Sequence, residues 1–233
     1  MTKSLDKITE EQTTTIDYND VLPPHTRLDI WEVYARLVLQ FIDVAEYGHL
    51  VHGDKPDLRD EKLGLGVEVT QAIPTCKQES EVLYARLHNE KDKAGRSRII
   101  ERIEQVGGKV FNHVLFGPNG TDSFDLIIDA FKEKLGKLNA GGYEHFKHNH
   151  LFIRSNIYAD GEMLDEGLAS LVALNIQTLS FERVIISVPG HNYDFDLINC
   201  SYSDLPFVSA DQYLIGEKAR SIVIKAEISY AAK

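Results

Sequence analysis

Two acidic residues near the start of the chain have a spacing that could do chemistry. Asp57 follows a proline, and ten residues separate it from Glu68, which lies in the apolar segment Leu65–Ile73. If the polar turn Arg59-Asp60-Glu61-Lys62 folds this segment back on the residues around Asp57, the two carboxyl groups converge at one end of a hairpin. Carboxylate oxygens are hard ligands of the kind that Mg²⁺ and Mn²⁺ prefer.

Helices are predicted on both sides of this hairpin in the chain. Thr26-Arg27-Leu28-Asp29 has the form of a capping box, and apolar residues then repeat at helical spacing as far as Ala45. The same spacing predicts further helices over about Lys77–His88, Arg96–Val106, Asp122–Leu138 and Glu162–Asn175.

Strands are predicted from β-branched residues and from alternation of apolar and polar positions. They cover His49–His52, Pro56–Leu58, Leu65–Ile73, an extended piece at Phe111–Phe116 between two glycine turns, His150–Arg154, Val184–Val188, Tyr193–Ile198 and Ser221–Ile228. In Leu65–Ile73 the residues Gly66, Glu68 and Thr70 share one face, because strand side chains alternate. The mixed order predicts an α/β fold, with a mixed central β-sheet flanked by helices and a strand-rich C-terminal third.

The composition is that of an ordinary globular protein. Of the 233 residues 43% are hydrophobic and 9% are aromatic, which is enough to bury the core of one domain. We expect a polar lead-in over residues 1–25 and a single domain over residues 26–233. Its core would cover about residues 27–155, and residues 156–233 would form a C-terminal elaboration.

Charge and cysteine content narrow the expected partners. The formal net charge of -11 gives no general reason for tight non-specific binding to DNA or RNA, although a local basic face remains open. Cys76 and Cys200 are too few for a disulfide framework, and no apolar run approaches the roughly 18 residues that span a membrane. The first 20 residues lack the apolar stretch of a signal peptide. We therefore expect a soluble, cytoplasmic protein with no membrane partner.

Pro56-Asp57, the strand around Glu68, the helix before them and the later helix followed by His150–Arg154 together resemble the PD-(D/E)XK nuclease-like superfamily. The resemblance covers roughly residues 27–155. It implies a restriction-endonuclease-like core and a metal-dependent nuclease, of bacterial or phage type, that hydrolyses phosphodiesters of DNA or RNA. Asp57 and Glu68 match the two acids that hold Mg²⁺ or Mn²⁺, and the carbonyl of Val69 would be a further ligand. Such nucleases often pair to cut both strands, so a homodimer is also implied.

The sequence departs from the family motif at one position, because Thr70 stands where the motif has lysine. Its hydroxyl could bond to a water or a phosphate oxygen, but it cannot supply a positive charge. Some members of the superfamily carry the lysine on a neighbouring helix, and here Lys134 is the candidate, since it falls on the apolar stripe of the Asp122–Leu138 helix. Two alternatives remain: Lys134 extends to solvent from the margin of the stripe, or Asp57 caps a turn while Glu68 faces solvent from an edge strand.

Other titratable residues are weaker candidates. Glu32 on the first helix would match an extra acid that family members often place there, although a solvated helix face explains it as well. The same holds for Glu79 and Glu81, and His52 could reach the hairpin as a supporting group. A further cluster consists of His145, His148 and His150. A zinc site is not expected there, because the cluster lacks a matching cysteine or carboxylate pattern.

Three classes of function remain open at this point. The first is the metal-dependent nuclease. The second is a catalytically inert nuclease-like fold that serves as a binding or assembly module, which Thr70 and the net charge of -11 favour. The third is an unrelated α/β enzyme acting on a small substrate, which would gain support if Asp57 and Glu68 lay away from the largest pocket.

Overall fold

The chain folds around one mixed β-sheet. A computed structural model describes residues 22, 26–111, 114–117, 120–140 and 144–231, so most of the expected lead-in and parts of the predicted extended piece Phe111–Phe116 and of the glycine turn after it lie outside the described residues. The elements in chain order are α1 (Ile30–Ile42), α2 (Val44–Tyr47), β1 (Val51–His52), β2 (Leu58–Asp60), β3 (Leu65–Ala72), α3 (Thr75–Asn89), α4 (Lys93–Gln105), β4 (Lys109–Phe111), β5 (Val114–Phe116), α5 (Asp125–Asn139), β6 (His148–Ser155), α6 (Gly161–Leu174), β7 (Arg183–Val188), β8 (Gly190–Asp196), β9 (Ser201–Phe207) and α7 (Ser209–Ala231).

The main sheet has seven strands in the order β1-β2-β3-β6-β7-β8-β9. The central strands β3, β6 and β7 are parallel, whereas β1 and β2 on one side and β8 and β9 on the other are joined by antiparallel pairing. β4 and β5 form a separate antiparallel hairpin. The predicted α/β fold with a mixed central sheet flanked by helices is therefore confirmed.

Each face of the sheet buries its own apolar cluster. On the α5 face, α5 and α6 cover the sheet, and Phe131, Leu151 and Ile153 are fully buried. On the α1 face, α1 and α7 cover it, and Phe152 points into that second cluster. Neighbouring residues of β6 thus pack into the clusters on opposite faces of the sheet, because strand side chains alternate.

The C-terminal region differs from the sequence prediction. Ser221–Ile228, predicted to be a strand, lies inside α7, a helix of 23 residues. Ile215, Ala219 and Val223, spaced four apart, are buried in the α1-face cluster, so packing against α1 overrides the β-branched run. In contrast, β9 was not predicted, because its side chains are mostly exposed and carry no alternating pattern. It is an edge strand.

The start of α1 also differs from the predicted capping box. The N-cap is Asp29, whose carboxylate accepts hydrogen bonds from the backbone N–H of Trp31 and Glu32 at 2.7 and 3.3 Å. The Thr26 hydroxyl instead donates to the Leu28 carbonyl, before the helix begins.

In the part of the chain that the structure describes, no helix combines the length and the apolar character that crossing a bilayer demands.

Candidate functional site

The hairpin of β2 and β3 brings Asp57 beside Glu68. The two strands pair antiparallel with Leu58 opposite Val67, so the residue before Leu58 lies next to the residue after Val67. The Asp57 carboxylate accepts a hydrogen bond from the backbone N–H of Val69 at 2.7 Å. The expected convergence of the two acids is therefore present.

The turn of this hairpin is shifted from its predicted position. Arg59 and Asp60 extend β2, and the chain turns at residues 61–64 instead. The Asp60 carboxylate accepts hydrogen bonds from the backbone N–H of Lys62 and Leu63, which fixes the turn.

A glycine on β3 allows the close approach of the segment that carries Asp57. A Cβ atom on Gly66 would lie 2.8 Å from Cγ of Pro56 and 3.1 Å from the ring of Phe146. A larger residue at this position would push the Pro56-Asp57 segment away from β3. Gly66, two residues before Glu68, therefore has a direct role in placing Asp57.

Lys134 joins the two carboxylates from the α5 side. Its Nζ lies 2.6 Å from Glu68 Oε2 and 3.2 Å from Asp57 Oδ2. The side chain of Lys134 is only 13% exposed and that of Glu68 only 2%. Lys134 thus turns to the carboxylates instead of solvent. The alternative in which Glu68 faces solvent from an edge strand is wrong, because β3 lies inside the sheet.

We call Asp57, Glu68 and Lys134 the triad. Its charge is set by one ammonium group that two carboxylates share. Burial lowers the pKa of Lys134, but Asp57 and Glu68 raise it by more, so the net shift is upward. Burial and the neighbouring Asp57 raise the pKa of Glu68, and Lys134 offsets only part of this. The two directions agree, since a single ammonium neutralises only one of two carboxylates. The ionised triad therefore carries one uncompensated negative charge, which favours binding of a second cation.

The donor set fits a hard divalent ion. Glu68 Oε1 is buried and has no hydrogen-bond partner among the described residues, which costs free energy unless another group satisfies it. The backbone N–H of Val69 points to Asp57, and in a regular strand the carbonyl of a residue points to the same side as its N–H. No group of three or more His, Cys, Asp or Glu side chains among the residues described is placed to hold a metal. Two carboxylates and a carbonyl suit Mg²⁺ or Mn²⁺, which keep several waters, and do not suit zinc.

Thr70 lies beside the triad and takes no part in its contacts. It shares the β3 face of Glu68, is half-buried, and stands opposite Ile153 in the parallel pairing with β6. Thr70 therefore lies on the same side of the sheet as Glu68, but the contacts that define the triad are made without it.

The other candidate acids are engaged elsewhere. Glu32 faces His52 at 3.6 Å between α1 and β1. The two acids on α3 form ion pairs away from the triad, Glu79 with Arg102 of α4 and Glu81 with Arg154 of β6.

A cavity of about 470 Å³ opens on the α1 face, and the sequence did not indicate it. It includes His148 and His150 in its wall but none of the predicted site residues, which are Asp57, Glu68, Val69, Thr70 and Lys134. Asp57 and Glu68 lie outside this cavity, which keeps open the interpretation as an unrelated enzyme with a small substrate. Alternation along β6, which puts His148 and His150 on one face, was the available signal.

Comparison of the chain with models of protein families, with curated proteins and with solved structures finds no significant match. The geometry of the triad and of the cavity is therefore the basis for inferring function.

Proposed function

We propose that the chain is a metal-dependent nuclease of the PD-(D/E)XK nuclease-like superfamily, acting on phosphodiesters of DNA or RNA. The observation that carries this proposal is the contact of Lys134 Nζ with both Asp57 and Glu68, at 3.2 and 2.6 Å. The family resemblance requires an aspartate, a second acid and a lysine in one place, and α5 supplies the lysine that Thr70 replaces on β3. The succession of α1, β1 to β3, α5 and β6 supports a restriction-endonuclease-like core.

Each residue of the site would have a distinct role in catalysis. Asp57, Glu68 and the Val69 carbonyl would hold Mg²⁺ or Mn²⁺. When bound, such an ion neutralises charge on phosphoryl oxygens and lowers the pKa of a bound water. Because Asp57 and Glu68 raise the pKa of Lys134, its ammonium would donate hydrogen bonds that position water or a phosphate oxygen, and would not act as a base. The hydroxyl of Thr70 would orient the same water or phosphate.

A catalytically inert nuclease-like fold, used as a binding or assembly module, is the second candidate. The net charge of -11 favours it, because a chain with this excess of acids attracts phosphates weakly. In this case the ion pairs of Lys134 would serve only to neutralise the buried Glu68 and the half-buried Asp57. Under either proposal the protein could act as a homodimer.

Calorimetric titration with Mn²⁺ and Mg²⁺ tests the proposal. The variants Asp57→Ala and Glu68→Ala would each abolish metal binding, whereas the matched control Asp129→Ala, an acid of α5 that is 74% exposed, would bind metal like the wild type. The same samples would be assayed for cleavage of single- and double-stranded DNA and RNA. Metal-dependent cleavage that both site variants lose supports the nuclease. Metal binding without cleavage of any substrate points to the inert fold, and the absence of metal binding that depends on these acids contradicts the metal site itself.

A further inference from the structure

The cavity on the α1 face lies at the N-terminal ends of two central strands. His148 and His150 of β6 and Glu182 and Arg183 at the start of β7 form its floor. α2 borders one side, and the loop after β8 borders the other. The triad faces α5 on the opposite side of the sheet, so the cavity is a separate site.

Negative charge dominates this cavity. Three carboxylates line it, those of Glu46, Glu182 and Asp196, and among the described lining residues they face the single guanidinium of Arg183. That guanidinium is already held by two carboxylates, because it donates to Glu46 and, through two nitrogens, to Asp194. Asp194 is itself almost completely buried. The charge left over is negative and favours a cationic occupant.

His150 presents a ring nitrogen to this cavity. The residue is only 2% exposed, and its Nδ1 lies 3.0 Å from the Tyr47 hydroxyl. Its Nε2 lies 3.9 Å from Glu46 Oε1, too far for a hydrogen bond. Burial, followed by the charge of Arg183, lowers the pKa of His150 to about 3, so the ring stays neutral and does not repel a cation. A tyrosine hydroxyl can accept a hydrogen bond as well as donate one. Tyr47 can therefore accept a hydrogen bond from Nδ1–H of His150, which leaves Nε2 as an acceptor.

Four aliphatic side chains and the polar Asn199 complete the wall. Leu65 is buried and Ala45 is exposed, and Leu63 and Ile198 are 47% and 66% exposed. A hydrocarbon chain that lay against these two side chains would cover apolar surface that is now in contact with water.

We propose that this cavity binds a small aliphatic amine. Its ammonium group lies among Glu46, Glu182 and Nε2 of His150, and its hydrocarbon chain covers Leu63 and Ile198. The same ammonium chemistry occurs at the end of a lysine side chain, and the cavity volume of about 470 Å³, which is in the range of small-molecule sites, favours a free amine.

Calorimetric titration of the full chain with 1,4-diaminobutane and with spermidine tests this. The expected result is binding of both amines, no binding of 1,4-butanediol, which has the same length without charge, and weaker binding of Nα-acetyl-lysine amide. Failure of both amines to bind, or equal binding of the diol, overturns the proposal. Tighter binding of the lysine derivative overturns the assignment to a free amine.

A charge variant with a matched control locates the site. Glu182→Gln should weaken amine binding about fivefold, as expected for loss of one partly exposed ion pair. The control is Asp204→Asn, which removes a carboxylate that faces His191 at 2.7 Å, as Glu182 faces His148 at 2.8 Å, but outside the cavity. Equal affinity of wild type and Glu182→Gln contradicts the proposed site. If Glu182→Gln lowers the melting temperature, Ile198→Ser at the exposed rim gives a second test: it should weaken spermidine binding, and unchanged binding overturns the contact.

Discussion

Lys134 is the residue on which the functional interpretation depends. The half-buried Asp57 and the buried Glu68 would repel each other, and the ammonium of Lys134, which contacts both, offsets part of that repulsion. A metal ion bound to the same acids would share them with Lys134, so the lysine would both compete with the ion and act beside it.

Replacing Lys134 by methionine should separate these two effects. The variant should keep or strengthen Mn²⁺ binding, because the competing ammonium is gone, while cleavage of nucleic acid should fall by about 100-fold or more, as expected for loss of a positioned hydrogen-bond donor. The control is Lys132→Met, at a position of α5 that is 54% exposed. Calorimetry and a cleavage assay on the same samples provide the measurement. Unchanged cleavage in Lys134→Met would remove this residue from the proposed mechanism.

Part of the site could be predicted from the sequence because its signals are local. Asp57 and Glu68 stand in one hairpin, and Lys134 falls on the apolar stripe of its helix, so each position follows from a short pattern. The cavity could not be predicted in this way. It depends on the pairing of His150 with Arg183 across β6 and β7, and no local pattern fixes which strands are neighbours or in which register they pair.

His150 should make the protein sensitive to acid. Its pKa of about 3 in the folded state lies below the ordinary value near 6.5, so the unfolded chain takes up a proton more readily at every pH between the two. The contribution of the neutral His150 ring to the free energy of unfolding is complete above about pH 6.5 and is lost as the pH falls towards 3. Between pH 7 and pH 5 the loss amounts to about 2 kcal/mol. Urea unfolding at both pH values should show this loss in the wild type and in His191→Gln, an exposed control, and a smaller loss in His150→Gln. An equal loss in all three proteins would show that His150 does not cause it.

At the level of elements, α7 shows where sequence patterns mislead. The run Ile222-Val223-Ile224 is typical of a strand, yet the period that decides the structure is the spacing of Ile215, Ala219 and Val223, which brings all three onto α1. The helices with long apolar stripes, such as α5, were predicted to within a few residues, because their pattern and their packing agree.

The two possible caps of α1 can be distinguished by substitution. Asp29→Ala should lower the free energy of unfolding by about 1 kcal/mol, because two backbone N–H groups of the first turn lose their acceptor. Thr26→Ala should cost less than half as much, since its hydroxyl bonds only to the Leu28 carbonyl ahead of the helix. Chemical denaturation of both variants measures the difference. A larger effect of Thr26→Ala would restore the capping box that the sequence suggested.

At the scale of the whole molecule, the sheet joins the two halves of the chain. β7, β8 and β9 extend the sheet beyond β6, and their residues Val184, Ile186 and Phe195 share a cluster with Phe131 of α5. The triad thus rests on a helix whose packing partners come from residues beyond 155. The proposed amine site and the triad lie on opposite faces of this one sheet.

The contribution of α7 to this common core can be measured by truncation. Removing residues 209–233 takes away Ile215, Ala219 and Val223 and uncovers the face of α1 on which they pack. Burial of an isoleucine or valine side chain contributes about 1.5–3 kcal/mol, and a domain of this kind is stable by only about 5–15 kcal/mol. The truncated chain should therefore lose cooperative unfolding in urea, followed by circular dichroism. Removing only residues 226–233 keeps all three buried side chains and should retain a cooperative transition. If the two truncated chains unfold alike, the interface of α1 and α7 does not stabilise the core. The C-terminal helix would then be an appendage to the fold that carries the triad.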